Sequence, residues 1–261
     1  MRTLKLTVAY DGTAYAGWQV QVDRTTVQGT IEAAVEQITG MKTRIMASGR
    51  TDAGVHALGQ VVVFQSETRL APEVLRRALN GLLPDDIAVL DVADVAEGFH
   101  PTRHAKRKRY RYVIHNGPVR DVFARRYCWH YPSGHLDEKA MQRAAEALLG
   151  THDFSSFETS GAEREHSVRT IFDLRVERGA GEDRDRLTVE VEADGFLYNM
   201  VRTIVGTLVD VGRGFRPESW PAEVLRALDR RAAGKTAPPQ GLFLVKVDYA
   251  AASSGPPGHL S

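Results

Sequence analysis

The sequence predicts an α+β protein made of two ferredoxin-like (split βαβ) halves, forming a mixed, largely antiparallel sheet with helices packed on one side. Three observations lead there. Apolar and polar residues alternate with a period of two in several short runs, the mark of half-buried strands. Between them lie runs with apolar residues every three or four positions, the mark of helices. The order strand, helix, strand, strand, helix, strand fills the first hundred residues and returns in outline in the rest, which is the split βαβ order.

The first strand covers residues 3–10, alternating Leu4, Leu6, Val8 and Tyr10, and ends at Asp11-Gly12, a strong turn signal. A polar loop with Tyr15, Trp18 and Gln19 follows. Thr26 is the expected N-cap of a helix carrying Val27, Ile31, Val35 and Ile38, ended by Gly40,. Residues 43–47 and 59–64 are strands flanking the loop SGRTDAGVH, residues 48–56. Pro72 opens a second helix with Val74, Leu75, Ala78, Leu79 and Leu82 on one face, stopped by Pro84,. Residues 87–95 complete the first half. In the second half, strands are expected at 108–115, 125–131, 170–178, 187–193 and 242–248, with helices at 136–149, 197–211 and 217–230. Residues 1–103 and 104–250 are read as the two halves. The tail, 251–261, is rich in Ser, Gly and Pro and reads as disordered,.

At 261 residues the chain can bury one large core or two modest ones,. Hydrophobic residues make up 43% and charged residues 26%, as in ordinary globular domains,. The net charge of +1 argues neither for nor against a polyanionic partner. One cysteine, Cys128, excludes an internal disulfide and fits a reducing, cytoplasmic setting,. The first residues alternate rather than form a signal core, and no apolar run reaches the roughly 18 residues that span a bilayer.

The loop of residues 48–56 packs Arg50, Thr51, Asp52 and His56 between two glycines beside an apolar strand. Rigid strands presenting polar loops commonly carry function, although Thr-Asp-Ala-Gly is also plain turn chemistry. The strongest charge cluster, residues 103–112, holds six arginines or lysines in ten residues and runs into RYRY. Strand alternation puts Tyr110 and Tyr112 on one face and Arg109 and Arg111 on the other. Basic side chains beside aromatic faces suit looped or single-stranded nucleic acid; a solvated charge run with structural tyrosines is the plainer reading. Arg202 sits at the edge of an apolar helix face formed by Met200, Val201, Ile204, Val205, Leu208 and Val211. It either snorkels to water or meets a carboxylate. Were that carboxylate Asp52, the guanidinium would lower its pKa and orient it. Phosphate-loop, HExxH and GxSxG motifs are missing, and the nine histidines fall at no metal-ligand spacing,. Any reaction is therefore expected to run on a carboxylate, with no metal and no cofactor.

Four stretches, YDGTAYAGWQ (10–19), GRTDAGVHALGQV (49–61), KRYRY (108–112) and GFLYNMVRTIVG (195–206), together resemble the tRNA pseudouridine synthase A family over residues 3–249. The resemblance implies conversion of uridine to pseudouridine in the anticodon stem-loop of tRNA, at tRNA positions 38, 39 and 40. It implies that Asp52 is the nucleophile or base, that Arg202 pairs with it, and that Tyr110 stacks on the target base and is a candidate acceptor of the C5 proton. It also implies that Arg50 helps hold the flipped nucleotide, with Arg107, Lys108 and Arg109 contacting RNA, and a homodimer whose two subunits both touch the tRNA. Attack at C1′, attack at C6 and removal of a C2′ proton remain open as chemical paths. A non-catalytic RNA binder on the same scaffold is the alternative from another class, and a ribonuclease or N-glycosidase using Asp52 is a third.

Overall fold

The computed structural model describes residues 1–159 and 166–250; the tail expected to be disordered lies outside the described residues. The first half holds β1 (Arg2–Tyr10), α1 (Val27–Thr39), β2 (Met46–Ala47), β3 (His56–Ser66), α2 (Pro72–Leu82) and β4 (Ile87–Val95). The second holds β5 (Ala105–His115), β6 (Trp129–His130), α3 (Glu138–Ala145), β7 (Gly150–Asp153), β8 (Val168–Arg178), β9 (Arg186–Ala193), α4 (Met200–Gly212), α5 (Trp220–Ala227) and β10 (Leu242–Tyr249).

These strands form one sheet in the order β4-β1-β3-β10-β5-β9-β8-β7, with β2 beside β3 and β6 beside β5. The first half runs β4-β1-β3-β2 and the second β10-β5-β9-β8, with every neighbour antiparallel. Each is the strand order of a split βαβ unit. The two meet where β3 and β10 pair in parallel, at His56 opposite Phe243 and Ala57 opposite Leu244. We propose a division between residues 103 and 104, just before β5. The buried apolar residues nonetheless form one continuous cluster across both halves.

Local chemistry explains most boundaries. The Thr26 hydroxyl accepts from Gly29 N–H at the start of α1, and Gly40 closes it at φ 70°, as capping predicts. Leu83 is extended because it precedes Pro84,. Other expectations are corrected. Residues 125–131 are not one strand: the Asp121 carboxylate accepts from the Phe123 and Ala124 amides and starts a 3-10 turn, leaving only Trp129 and His130 to pair with β5. The strand expected at 43–47 shrinks to Met46–Ala47. Helix 136–149 is α-helical only over Glu138–Ala145, after Asp137 caps it, and helix 217–230 only over Trp220–Ala227. Val74 and Leu82 of α2 are exposed, so its buried stripe is Leu75 and Leu79. The polar strand β7 (Gly150–Asp153) has no apolar alternation to predict it and forms by pairing with β8.

Helix α4 is buried almost all round. Its Gly206 lies against the segment after α5: a Cβ there would sit 1.7 Å from the Lys235 carbonyl oxygen. That approach lets the Ala237 amide donate to the Arg202 carbonyl at 3.0 Å. Gly206→Ala should therefore lower stability in urea unfolding by about 2 kcal/mol, because overpacking outweighs the roughly 0.5–1 kcal/mol that alanine gains over glycine in a helix. A stabilised variant would contradict this close contact.

Candidate active site

The loop between β2 and β3 is pinned at each end. Buried Gln60 donates from Nε2 to the Gly49 carbonyl at 2.8 Å and accepts the Ser48 hydroxyl at 2.6 Å. Lys108 on β5 donates to the Ser48 carbonyl at 2.7 Å. The Tyr10 and Thr51 hydroxyls bond at 2.7 Å, and the Trp18 amide donates to the Thr51 carbonyl at 2.9 Å. Gly17, at φ 96°, allows that approach: a Cβ would fall 2.8 Å from the Thr51 carbonyl oxygen,. At the far end the buried His56 ring accepts from the Gly12 amide and donates to the carbonyls of Arg126 and Gln240. That pattern is a neutral ring protonated on Nε2, and burial keeps its pKa low, so the Asp11 carboxylate 3.1 Å from Nδ1 is a close neighbour rather than an ion-pair partner.

Asp52 rises from this pinned loop, half-buried. Its Oδ2 accepts from Arg202 Nη1 on α4 at 3.2 Å. Arg202 does not snorkel: its Nε donates to the Ala237 carbonyl at 2.7 Å and Nη1 also to Asn199 Oδ1 at 2.7 Å. The pairing is as expected, but the expected fall in the Asp52 pKa is not. Burial raises the carboxyl above its ordinary range, and Arg202 offsets this only in part, because desolvation of an anion outweighs one contact at that distance.

Both groups line a cavity of about 480 Å³. Tyr110 lies in its wall, buried, edge-to-face with Phe196 at 4.9 Å between ring centres. Burial and the nearby Tyr10 and Asp52 push its hydroxyl upward, so it is a neutral phenol. Arg50 and Lys108 line the same cavity, with Val55, Leu197, Val201 and Leu242 as apolar walls. Arg107 and Arg109 are not brought there. They point to the opposite face of β5, where Arg109 meets Glu190, Glu192 and Asp173 at 2.9–3.3 Å and Arg107 meets Glu192 at 2.9 Å. Carboxylates of β8 and β9 thus engage Arg107, Arg109 and Arg111, while Lys108 reaches the site. Asn199, Gln60 and Trp18 were missed as parts of the site. A polar Gln inside the apolar run GQVVVF was the one available signal for Gln60. Among the described residues, no group of three His, Cys, Asp or Glu side chains is placed to hold a metal ion.

A loop carboxylate held by an arginine stands beside an aromatic ring in a cavity of nucleotide size, a concave polar-and-apolar site of the kind that binds small groups,. A family model described as tRNA pseudouridine synthase matches residues 6–102 and 144–250. The chain is 46% identical over 251 residues to tRNA pseudouridine synthase A of Thermoanaerobacter sp. (strain X514), covering 95% of this chain and 100% of that one. It is 46% identical over 257 residues to the protein of the same name from Myxococcus xanthus, covering 98% and 94%, and 49% identical over 246 residues to that of Halalkalibacterium halodurans, covering 93% and 91%. Among solved structures, an H/ACA RNP bound to a substrate RNA containing 2′-deoxyuridine aligns with 79% of this chain and 44% of that chain, at 12% identity and a TM-score of 0.34. The chain belongs to the tRNA pseudouridine synthase family and is an isomerase acting on uridine in tRNA. Among the described residues, no helix is long and apolar enough to cross a membrane.

The raised Asp52 pKa fixes a sign. A carboxyl whose folded pKa exceeds the unfolded value of about 3.9 destabilises the fold once ionised. The penalty is present at neutral pH and is relieved as pH falls through the folded pKa. Asp52→Asn should therefore melt no lower than the unmodified protein at pH 7; a clearly lower melting temperature would contradict the direction of the shift.

Proposed function

We propose that the protein converts uridine to pseudouridine in the anticodon stem-loop of tRNA, at positions 38, 39 and 40, through a reaction centred on Asp52. The observation that carries this reading is the Asp52 carboxylate held by Arg202 on the wall of the cavity that Tyr110 lines. The target base leaves its stack to enter such a cavity, at a cost of a few kcal/mol. The N1–C1′ bond breaks, the freed uracil turns, and C5 bonds to C1′; C5 gives up a proton and N1 gains one. Loss of the base builds positive charge at C1′, which a carboxylate stabilises, as in glycoside hydrolysis. Asp52 is the one carboxylate among the described residues lining the cavity, and Arg202 favours its ionised form and orients it.

Tyr110 and Phe196 supply flat apolar faces that hold the detached base and exclude water. The Tyr110 hydroxyl, a neutral phenol, can take up the C5 proton only by releasing its own in the same step. Arg50 and Lys108 lie where backbone phosphates of the flipped nucleotide would pass. Arg107 and Arg109, already engaged by carboxylates, have a weaker claim to RNA contact. The test is to map pseudouridine in unmodified tRNA after incubation with the protein. Modification at positions 38–40 is expected; modification confined to another arm would overturn the assignment.

A homodimer is part of the same reading, as is a cytoplasmic location, where tRNA is modified. Val119, Val122 and Phe123, in the segment between β5 and β6, are 75%, 58% and 91% exposed, an apolar surface that a second copy would cover. Phe123→Asp should shift the protein from dimer to monomer in sedimentation equilibrium. A monomeric unmodified protein, or a variant that stays dimeric, would contradict this.

A further inference from the structure

Asn199 occupies the N-cap position of α4 and does not cap it. An asparagine there normally adopts an extended backbone and accepts from an amide one turn on. Here the backbone is left-handed, at φ 61° and ψ 7°, and the side chain makes no capping hydrogen bond. Left-handed residues other than glycine are uncommon, with asparagine among the more tolerant, and such outliers gather at functional sites. The amide goes elsewhere. Oδ1 accepts from Arg202 Nη1 at 2.7 Å, and Nδ2 donates to the Thr159 hydroxyl at 3.2 Å. The guanidinium only donates, so the amide turns its carbonyl oxygen to Arg202, and Nδ2 is left to donate to the Thr159 hydroxyl,.

The Arg202 guanidinium is planar and its donors point in fixed directions. Nε is committed to the Ala237 carbonyl and one Nη1 hydrogen to Asn199. With those two directions set, the plane is set, and the remaining Nη1 hydrogen points at Asp52 Oδ2. Asn199 also lines the cavity. We propose that Asn199 is a positioning residue of the reaction: its side-chain amide fixes the Arg202 guanidinium so that one Nη1 hydrogen is aimed at Asp52. The left-handed backbone follows from that duty, since it swings the amide away from the helix amides and toward the arginine three residues on.

This inference rests on the proposed role of Asp52. Ionisable groups around that carboxylate include Arg202 from α4, Tyr198 just before it, Tyr110 and Lys108 from β5, Tyr10 from β1 and Arg50 in its own loop. Lys108 is held on the Ser48 carbonyl, and burial keeps Tyr110 and Tyr10 neutral, with Tyr10 pushed up to about 12. Arg202 is in hydrogen-bond contact with the carboxylate.

The experiment is the single-turnover rate on tRNA against pH, for the unmodified protein, Asn199→Gly, Asn199→Asp and Asp52→Asn. Glycine suits φ 61° and keeps the backbone path, so Asn199→Gly removes the amide without straining the turn. The expected result is an acid limb displaced upward by about one pH unit, so that the rate at a pH on the limb falls about tenfold and recovers at higher pH. Asn199→Asp puts a second carboxylate on the same Nη1, competes for it, and should displace the limb at least as far. A purely structural role would leave the limb where it is and either preserve the rate or lower it equally at every pH; that result in both variants overturns the inference. Asp52→Asn separates the two readings. If it retains turnover, the assignment of Asp52 falls. If it is inactive while both Asn199 variants keep an unmoved limb, only the role of Asn199 falls.

Discussion

The contact between Arg202 and Asp52 is the constraint on which the rest of the structure turns. It joins side chains 150 residues apart, one on a loop of the first half and one on a helix of the second. A buried carboxylate tends to take up a proton and lose its use as an anion. Here desolvation does raise the carboxyl, and the guanidinium resists that rise. Each partner is therefore held from behind: the loop by Gln60, Lys108, Tyr10 and Trp18, the arginine by Asn199 and the Ala237 carbonyl.

Joining the halves is what makes the contact possible. The parallel pairing of β3 and β10 starts at His56, four residues after Asp52 along the chain, so the loop emerges at the seam. Strand β5 lies on the other side of β10 and turns Tyr110 and Lys108 toward the same cavity. The tight approach at Gly206 sets the Ala237 carbonyl against α4. Neither ferredoxin-like unit contains a complete site; the fused sheet does.

Most of the fold was legible because its determinants are local. Thr26 and Gly40 bound α1, Pro84 stops α2, and alternation marks the long strands. What failed were elements whose limits come from contacts remote in sequence or from side chains bonding their own backbone. Asp121 turned an expected strand into a 3-10 turn, and the polar β7 exists only because β8 offers it partners. At the site, Asp52, Tyr110 and Arg202 stand out in their motifs and line one cavity, with Arg202 bonded to Asp52. The basic run was legible as charge but not as direction: alternation separates Lys108 from Arg107 and Arg109, and only the sheet shows that Glu190 and Glu192 stand opposite the arginines. The sign of the Asp52 shift is not legible, because sequence names the cation but not the depth of burial. Asn199 carries no sequence mark beyond its place three residues before Arg202.

The central claim is that the held carboxylate drives an isomerisation in which C5 of uridine loses its proton. The most direct measurement is tritium release from tRNA labelled at C5 of uridine, comparing the unmodified protein with Asp52→Asn and adding no metal or cofactor. Release by the first and none by the second, with tRNA binding retained in both, is the predicted result. Undiminished release from Asp52→Asn would contradict the account.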